Sequence, residues 1–403
     1  MNEPLPGPPL RIAVLADFEG PHTHRWLRVF VERGHDVHAI SYYPVASPPP
    51  GVTLHVLTEG GAPQVATARR SRLGFPKRLL SAAFPPSVMR LIHGRRYMRA
   101  GLRRVLDEIR PDVFQAHYVV EHGYYASKAD VHPFVVTAWG SDLYQAPRSP
   151  LGRWIAHRVL RQADLVSCND PELREEALKL GARFGDTIVT RLGVDEVFFE
   201  QPHLSVNMES GGASAEPIVI SDRALEPHYN VDTIIRAFAL VHAEMPAARL
   251  VIANDGSQRH RLESLARDLH LQDAVRFTGH VPPEALRDAL AEAQVYVSVP
   301  DSDSLALSTM EAMAVGALPV VSDLPSQTWF DDGENGLRVP PRDVEALASA
   351  LKRALTEHEL RFRAIAVNRV RVQMEGNLQR NMLALEKHFY RLAAENPQAR
   401  SQP

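Results

Sequence analysis

Residues 300–323 read PDSDSLALSTMEAMAVGALPVVSD, an acidic loop, a short helix and a buried strand within 24 residues. Asp303 and Glu311 stand eight positions apart, the first in the loop and the second about one turn inside the helix. A carboxylate therefore lies on each side of a helix N-terminus, where unpaired backbone N–H groups and the helix dipole favour an anion. A diphosphate held there has an acid on either flank. Each acid can accept hydrogen bonds from hydroxyls, so the arrangement points to a nucleotide-sugar site.

Strands and helices alternate around this stretch. In the first half, residues 10–16, 36–41, 52–57, 113–116, 134–138 and 165–168 read as strands, and residues 25–33 as a helix closed by Gly34. In the second half, residues 217–221, 250–253, 275–278, 295–299 and 318–321 read as strands, with amphipathic helices at 232–244 and 258–269. Such alternation implies βαβ units on parallel sheets, an α/β chain with two Rossmann-like domains. Residues 201–217, QPHLSVNMESGGASAEP, lack an apolar period and read as a linker or exposed loop. A chain of 403 residues is too long for one ordinary core. The expected division is a first domain at 1–200, the linker at 201–217, a second domain at 218–375, and a C-terminal helix and tail at 376–403. Residues 344–355 and 357–394 are helix-rich.

Composition narrows the class. A hydrophobic fraction of 45% with 23% charged residues is that of a globular protein. The single cysteine, Cys168, closes a buried strand and reads as an inert thiol, which fits a reducing cytoplasm. The start, MNEPLPGPPLR, lacks the charged and apolar regions of a signal peptide, and no apolar run is long enough to span a membrane. Between Arg69 and Arg104 there are eleven Lys and Arg and no acid, so against a net charge of −3 the rest of the chain carries −14. Apolar residues are interleaved there. The stretch is either a solvated basic face or a contact with an anionic membrane surface, which would make the protein peripheral on the inner face of the membrane. No nucleic-acid-binding motif accompanies it.

The opening stretch also resembles the E-x7-E signature of the retaining glycosyltransferases of family 4, which have the GT-B fold. Asp303, Ser304, Leu305, Ala306, Leu307, Glu311, Ala312, Met313, Ala314, Gly316, Pro319, Val320 and Val321 carry the likeness. It is similar to the bacterial polysaccharide-assembly members, and two of the signature's loop glycines are replaced by Ser304 and Ala306. The resemblance implies that the C-terminal helix crosses back to the first domain, that the first domain is on the acceptor side and that the second binds the nucleotide sugar. It implies catalytic roles for His117, Asp303 and Glu311, with Glu311 on the ribose hydroxyls and Asp303 on the sugar. Donor contacts fall on Arg223, Gly279, Val281, Ser304, Leu305, Ala306, Leu307 and Glu311. Acceptor-side positions are Trp139, Gly140 and Asp142. His117 reads alternatively as a strand-end histidine with a structural hydrogen bond, Trp139 as core, and Gly279 and Val281 as a strand end and turn.

The segment SDRALEPHYNV, residues 221–231, takes the place of the family's R-L-x-x-x-K-G. Arg223 is the candidate for the diphosphate-binding arginine, and Tyr229 occupies the lysine position. Gly193 in RLGVD reads as a backbone-geometry residue and Asp195 as a turn residue. His22 and His24 are two potential ligands where a stable metal site needs three or four, and Asp301-Ser302-Asp303 belongs to the E-x7-E loop, so no metal is expected. The expected cofactor is none beyond the nucleoside-diphosphate sugar as donor. The expected partners are that donor and a saccharide or lipid-linked acceptor. The implied reaction is transfer of the sugar to an acceptor hydroxyl with retention. The alternatives are a catalytically degenerate nucleotide- or partner-binding protein and a nucleotide-sugar 2-epimerase.

Overall fold

The computed structural model describes residues 4–57, 101–145, 149–199, 216–303 and 305–396. Most of the expected linker at 201–217, and the basic stretch between Arg69 and Arg104 up to residue 100, lie outside the described residues, as does Ser304. Contacts divide the chain into two units: Met1–Leu192 together with Gln379–Pro403, and Gly193–Leu378.

The first unit is built on seven strands: β1 (Arg11–Leu15), β2 (Asp36–Ser41), β3 (Thr53–Val56), β4 (Val113–His117), β5 (Phe134–Ala138), β6 (Leu165–Cys168) and β7 (Thr187–Val189). Their order is β3-β2-β1-β4-β5-β6-β7 and every pairing is parallel. The central strands VFQAH and FVVTA are buried at every position, as strands covered by helices on both faces must be. The second unit repeats the plan with β8 (Ile218–Ser221), β9 (Arg249–Ile252), β10 (Val275–Phe277), β11 (Val295–Ser298), β12 (Leu318–Ser322) and β13 (Leu337–Val339), in the order β10-β9-β8-β11-β12-β13. These are the two Rossmann-like halves expected. The strands β7 and β13 went unread in the sequence because three residues show no period.

Each sheet reverses its strand order once, between β1 and β4 in the first unit and between β8 and β11 in the second. Loops leaving two adjacent strands diverge at such a point and open a crevice at the carboxyl edge, where ligands of open α/β sheets bind. No helix of the described residues is long and apolar enough to cross a membrane.

The C-terminal segment expected to be helical is broken into two helices, His358–Glu375 and Leu378–Glu395. The break is made by the strand leaving β7. Val194 N donates to Gly376 O at 2.6 Å, and Leu378 N donates to Val194 O at 3.0 Å. A Cβ on Gly193 would lie 2.4 Å from both Gly376 O and Leu378 N, so glycine is required there by close backbone approach. Gly193→Ala is expected to cost about 1–3 kcal/mol, the usual range for overpacking. Chemical denaturation that found the variant within experimental error of wild type would contradict this.

The last helix returns to the first unit and is held by a buried carboxylate. Glu386, 1% exposed, accepts from Arg33 Nε at 2.5 Å, from Arg33 Nη2 at 2.7 Å and from His35 Nε2 at 2.8 Å. His35 Nδ1 accepts from Leu10 N at 2.9 Å, so the imidazole proton sits on Nε2. Phe389 stacks on Phe30 at 5.5 Å. Burial pushes the Glu386 carboxyl up. The hydrogen bonds from His35 and Arg33 outweigh it, and the carboxyl is held below its ordinary value. Its contribution to stability is therefore complete above the unfolded carboxyl's pKa of about 4.3 and is lost as pH falls below it. Glu386→Ala removes the buried carboxylate that Arg33 and His35 bind and is expected to cost about 3–5 kcal/mol at pH 7. In urea titrations between pH 7 and 3, the Glu386→Gln variant should lose less stability on acidification than wild type does.

Candidate functional site

In the second unit the loop after β8 carries Asp222 and Arg223, and the loop after β11 carries Asp301 and Asp303. These are the two strands that flank the reversal of the sheet. Tyr296, wholly buried on β11, donates its hydroxyl to Asp222 Oδ1 at 2.8 Å and shares a hydrogen bond with Ser308 Oγ at 2.9 Å. Ser308 in turn accepts from Arg223 Nη1 at 3.4 Å, and Arg223 Nη2 donates to Asp303 Oδ2 at 2.5 Å. The Arg223 guanidinium lies 4.2 Å above the ring of Tyr229. Arg223 Nε has no hydrogen-bond partner among the described residues.

Tyr229, which the resemblance sets at a lysine position, packs its ring against the Arg223 guanidinium. Two cations at Arg223 and 229 would repel each other. A tyrosine presents the negative face of its ring to the guanidinium and holds it in place. Burial works against the charge of Arg223, and Tyr296, Asp303, Tyr229 and Asp222 outweigh it, so the group is held firmly cationic. Burial also pushes Asp222 up.

The helix expected after Asp303 spans Leu307–Val315. Its residues from Thr309 to Val315 are all buried, so its position is fixed by packing on every side. Gly316, at φ +101°, ends it in the left-handed conformation. Its N-cap is Ala306, which has no side-chain acceptor, and no side chain caps the helix among the described residues. Thr309 N donates to Ala306 O at 3.1 Å, so the first-turn amides that no side chain caps are those of Leu307 and Ser308. Leu305 is buried and Leu307 half-buried, and Glu311 is 3% exposed inside the helix.

The adjoining loops of the second unit are fixed by contacts of their own. Asn254 Nδ2 donates to the Asp222 carbonyl at 2.6 Å, tying the β9 loop to the β8 loop. A Cβ on Gly256 would lie within 2.6–2.8 Å of the Leu225 backbone, which explains the glycine of this turn. Gly279 has φ +73° and faces Arg259 Nη1. Arg259 is engaged by Asp255 at 3.0 Å and Glu263 at 2.8 Å. Val281 is half-buried against the apolar cluster. His228 packs on Tyr229. Asp301 accepts from Arg342 and Asn230, whose hydrogen bonds lower its carboxyl to about 2.

In the first unit His117 ends β4 and is fully buried, packed edge-on by Trp26 and Trp139 at 5.3 Å each. Neither ring nitrogen has a hydrogen-bond partner among the described residues. Burial first, and then the charge of His122, lower its pKa to about 3, so the imidazole is neutral at pH 7. Trp139 is half-buried and its Nε1 is likewise unpartnered among the described residues. Its ring is stacked by His22 at 6.2 Å. His24 Nε2 bonds to Phe18 O instead. Gly140 has φ +134°, a conformation that excludes a side chain. Asp142 turns inward. Its Oδ2 accepts from Val119 N at 2.8 Å, and its Oδ1 accepts from Gly140 N at 3.0 Å and Trp139 N at 3.2 Å. Both oxygens thus fix backbone, and Asp142 positions the Trp139–Gly140 turn. Cys168 is buried, and burial raises its thiol far above the usual range.

Sequence reading missed the aromatic group beyond His117. Tyr118, at φ +67°, starts a π-helical turn, Tyr118–His122, and His122 stacks flat on Tyr42 at 5.2 Å. Strained backbone and π turns concentrate at functional sites. Only the EHGYY run hinted at it.

His117 carries a pH prediction. The folded site holds the neutral ring, whereas the unfolded chain protonates it below about pH 6.5. Wild type should lose stability from about 6.5 down towards 3 through this group. His117→Phe removes the titration and an unsatisfied polar ring, so thermal melts should show it at least as stable as wild type at pH 7 and less sensitive between pH 6.5 and 5. An identical slope in both proteins would show that His117 does not titrate with folding.

Two family models match this chain: "Glycosyl transferases group 1" over residues 207–371 and "Glycosyl transferase 4-like domain" over residues 20–193. A lipopolysaccharide core biosynthesis glycosyltransferase of Rhizobium meliloti is 28% identical over 211 residues, 50% of this chain and 57% of that one. A glycogen synthase of Mycobacterium tuberculosis is 26% identical over 406 residues, 95% and 93% of the two chains. The match to an exopolysaccharide phosphotransferase of Streptomyces coelicolor is 35% identical but spans 15% of that protein and 35% of this chain, so the chain covers under two thirds of both it and the Rhizobium protein. Among solved structures, a sucrose-phosphate synthase of Thermosynechococcus elongatus superposes with a TM-score of 0.72 at 20% identity, covering 96% of this chain and 99% of the other. Anabaena HepE in complex with UDP superposes at 0.69 and 14% identity, covering 94% and 100%. With its two parallel-sheet halves and a last helix that returns to the first, the chain belongs to the family-4 glycosyltransferases of GT-B architecture.

Proposed function

We propose that this chain moves a sugar from a nucleoside-diphosphate donor to an acceptor hydroxyl, with retention at the anomeric carbon and without a metal, in polysaccharide or glycolipid synthesis. The observation that carries the reading is the convergence of Arg223, Asp303 and the uncapped start of the Leu307–Val315 helix at the strand reversal of the second sheet. The relatives' names and the UDP and UDP-glucose complexes of Anabaena HepE support it.

The chemistry needs stabilisation of a leaving diphosphate. The helix amides and Arg223 supply it in a preorganised form. Before the donor arrives, Asp303 neutralises Arg223. The diphosphate displaces that carboxylate, which is then available to the hydroxyls of the sugar. Glu311 holds the ribose hydroxyls, Gly279 and Val281 lie on the base side, and a donor phosphate oxygen accepts the acceptor's proton. His117, neutral and without a partner among the described residues, is the polar group of the first unit that this reading leaves to a saccharide hydroxyl. Trp139 presents an aromatic face on the acceptor side, and the single cysteine fits a cytoplasmic setting.

Titration with UDP-, GDP- and ADP-glucose under thermal melting tests the donor. A cognate ligand at a hundred times its Kd stabilises by about 2.7 kcal/mol. Arg223→Ala is expected to weaken nucleotide binding by about tenfold or more, since a charge-assisted contact is worth about 1.5–3 kcal/mol. Asp303→Ala should bind UDP at least as well as wild type, because the competing carboxylate is gone, while losing sugar transfer. If none of the three nucleotide sugars shifts the melt, the reading fails.

A further inference from the structure

The loop after β13, residues 340–343, places Arg342 at φ +63°, in the left-handed region where glycine is at ease and an arginine is strained. Its side chain is 65% exposed, so packing does not account for that backbone. What the side chain meets is Asp301, in the loop after β11. Arg342 Nε donates to Asp301 Oδ1 at 2.8 Å and Nη2 donates to Oδ2 at 2.5 Å, so one fork spans both carboxylate oxygens. Strained backbone persists where the surrounding contacts over-determine it, and here the contact is this ion pair.

Asp301 also grips the loop after β8. Its Oδ1 accepts from Asn230 Nδ2 at 2.9 Å, and its backbone N donates to His228 O at 3.0 Å. Asn230, 3% exposed, donates from the same nitrogen to Val299 O at 3.0 Å. Residues 228 and 230 bracket Tyr229, the last residue of the 3-10 turn Pro227–Tyr229. A turn this short has few hydrogen bonds of its own: Tyr229 N donates to Glu226 O and Asn230 N to Pro227 O. The β11 loop therefore fixes it from outside. Tyr229 in turn lies 4.2 Å beneath the Arg223 guanidinium.

The β11 loop thus meets the β8 loop at two points. Asp303 pairs with Arg223 and is the contact that the proposed reaction exchanges for a diphosphate. Asp301 is bound to Arg342 and Asn230 and stays. We propose that Asp301 and Arg342 are positioning residues: through Asn230 and the His228 carbonyl they fix the Pro227–Tyr229 turn, so that Tyr229 still holds the Arg223 guanidinium once a diphosphate has displaced Asp303. The proposal deepens the transferase reading and rests on it for the identity of the anion. The placing of the turn rests on the hydrogen bonds alone.

Calorimetry on the full chain with UDP, GDP, ADP and inorganic pyrophosphate separates the two. Asp301→Asn keeps the size of the side chain and removes its charge. It is expected to weaken pyrophosphate, and any nucleoside diphosphate that binds wild type, by about threefold to tenfold, within the worth of one cation–π contact. Arg342→Gly separates position from stability. Glycine relieves the left-handed backbone and the lost ion pair is exposed, so the melting temperature should stay close to that of wild type. Its affinity for the same probes should nonetheless fall by about threefold or more. In a Tyr229→Ala background Asp301→Asn is expected to add nothing, because its effect passes through that ring, whereas independent contributions would add. Wild-type affinity in either single variant, an Asp301→Asn effect undiminished in the Tyr229→Ala background, or no binding of any of the four probes to wild type would each overturn the assignment. Nucleotide binding indifferent to both substitutions removes the positioning role and leaves the transferase reading standing. Pyrophosphate binding that responds as expected, with none of the three nucleotides bound, keeps the positioning role and removes the transferase reading.

Discussion

A parallel sheet can connect its strands only by crossing back over a face, so every βα loop emerges at the same edge. That single constraint places all the chemistry of this chain. In each unit the strand order reverses once, and the two loops that diverge there are the ones that carry the unusual residues. In the second unit they bring Asp222 and Arg223 from β8 to Asp303 from β11. In the first they bring Asp17 and Glu19 after β1 to Tyr118, Glu121 and His122 after β4. The neighbouring strands of each sheet hold those four loop ends in place.

Within the second unit the critical quantity is the charge of Arg223. A guanidinium 8% exposed needs compensation in the folded protein, yet a compensated cation is of no use to an incoming anion. Asp303, with its side chain 24% exposed, sits at the open side, where displacement is cheap. Tyr229 holds the guanidinium from below without cancelling its charge, and Ser308 ties it to the helix start. The buried Asp222–Tyr296 pair anchors this assembly to β11 and is too enclosed to exchange partners. An aromatic ring under the guanidinium fixes that charge without cancelling it.

The sequence made the long apolar strands, the amphipathic helices and the carboxylates around one helix start legible because each is a local pattern. Asp303, Ala306 and Glu311 follow from one contiguous stretch. The stacking of Tyr229 on Arg223 does not, since it depends on a 3-10 turn at Pro227–Tyr229 that folds the ring under the arginine. Asp142 looked like a contact residue because its neighbours do. Only the fold shows that its carboxylate is consumed by three backbone amides. The aromatic group in the first unit draws on residues 22, 26, 42, 117, 118, 122, 125 and 139, and no window of sequence contains it. Gly376 breaks a strong helical pattern because a distant strand borrows its carbonyl, a tertiary override of local propensity.

The first unit is also where the fold is least at ease. Tyr118 is held at φ +67°, the ring nitrogens of buried His117 and half-buried Trp139 are unpartnered among the described residues, and all three adjoin one another across the ends of β4 and β5. Unpaired buried groups cost about 1–3 kcal/mol each, and a strained backbone costs a similar amount. The surrounding core, with Trp26 at 0% exposure and Asp142 gripping the backbone on both sides, is rigid enough to keep the arrangement from relaxing. A phenylalanine at 117 would remove one of these costs, and a glycine at 118 another. A fold selected for stability alone would have taken both. These costs are concentrated where two diverging loops open the sheet, and the buried Trp26 and the Asp142 carboxylate are what hold them in place.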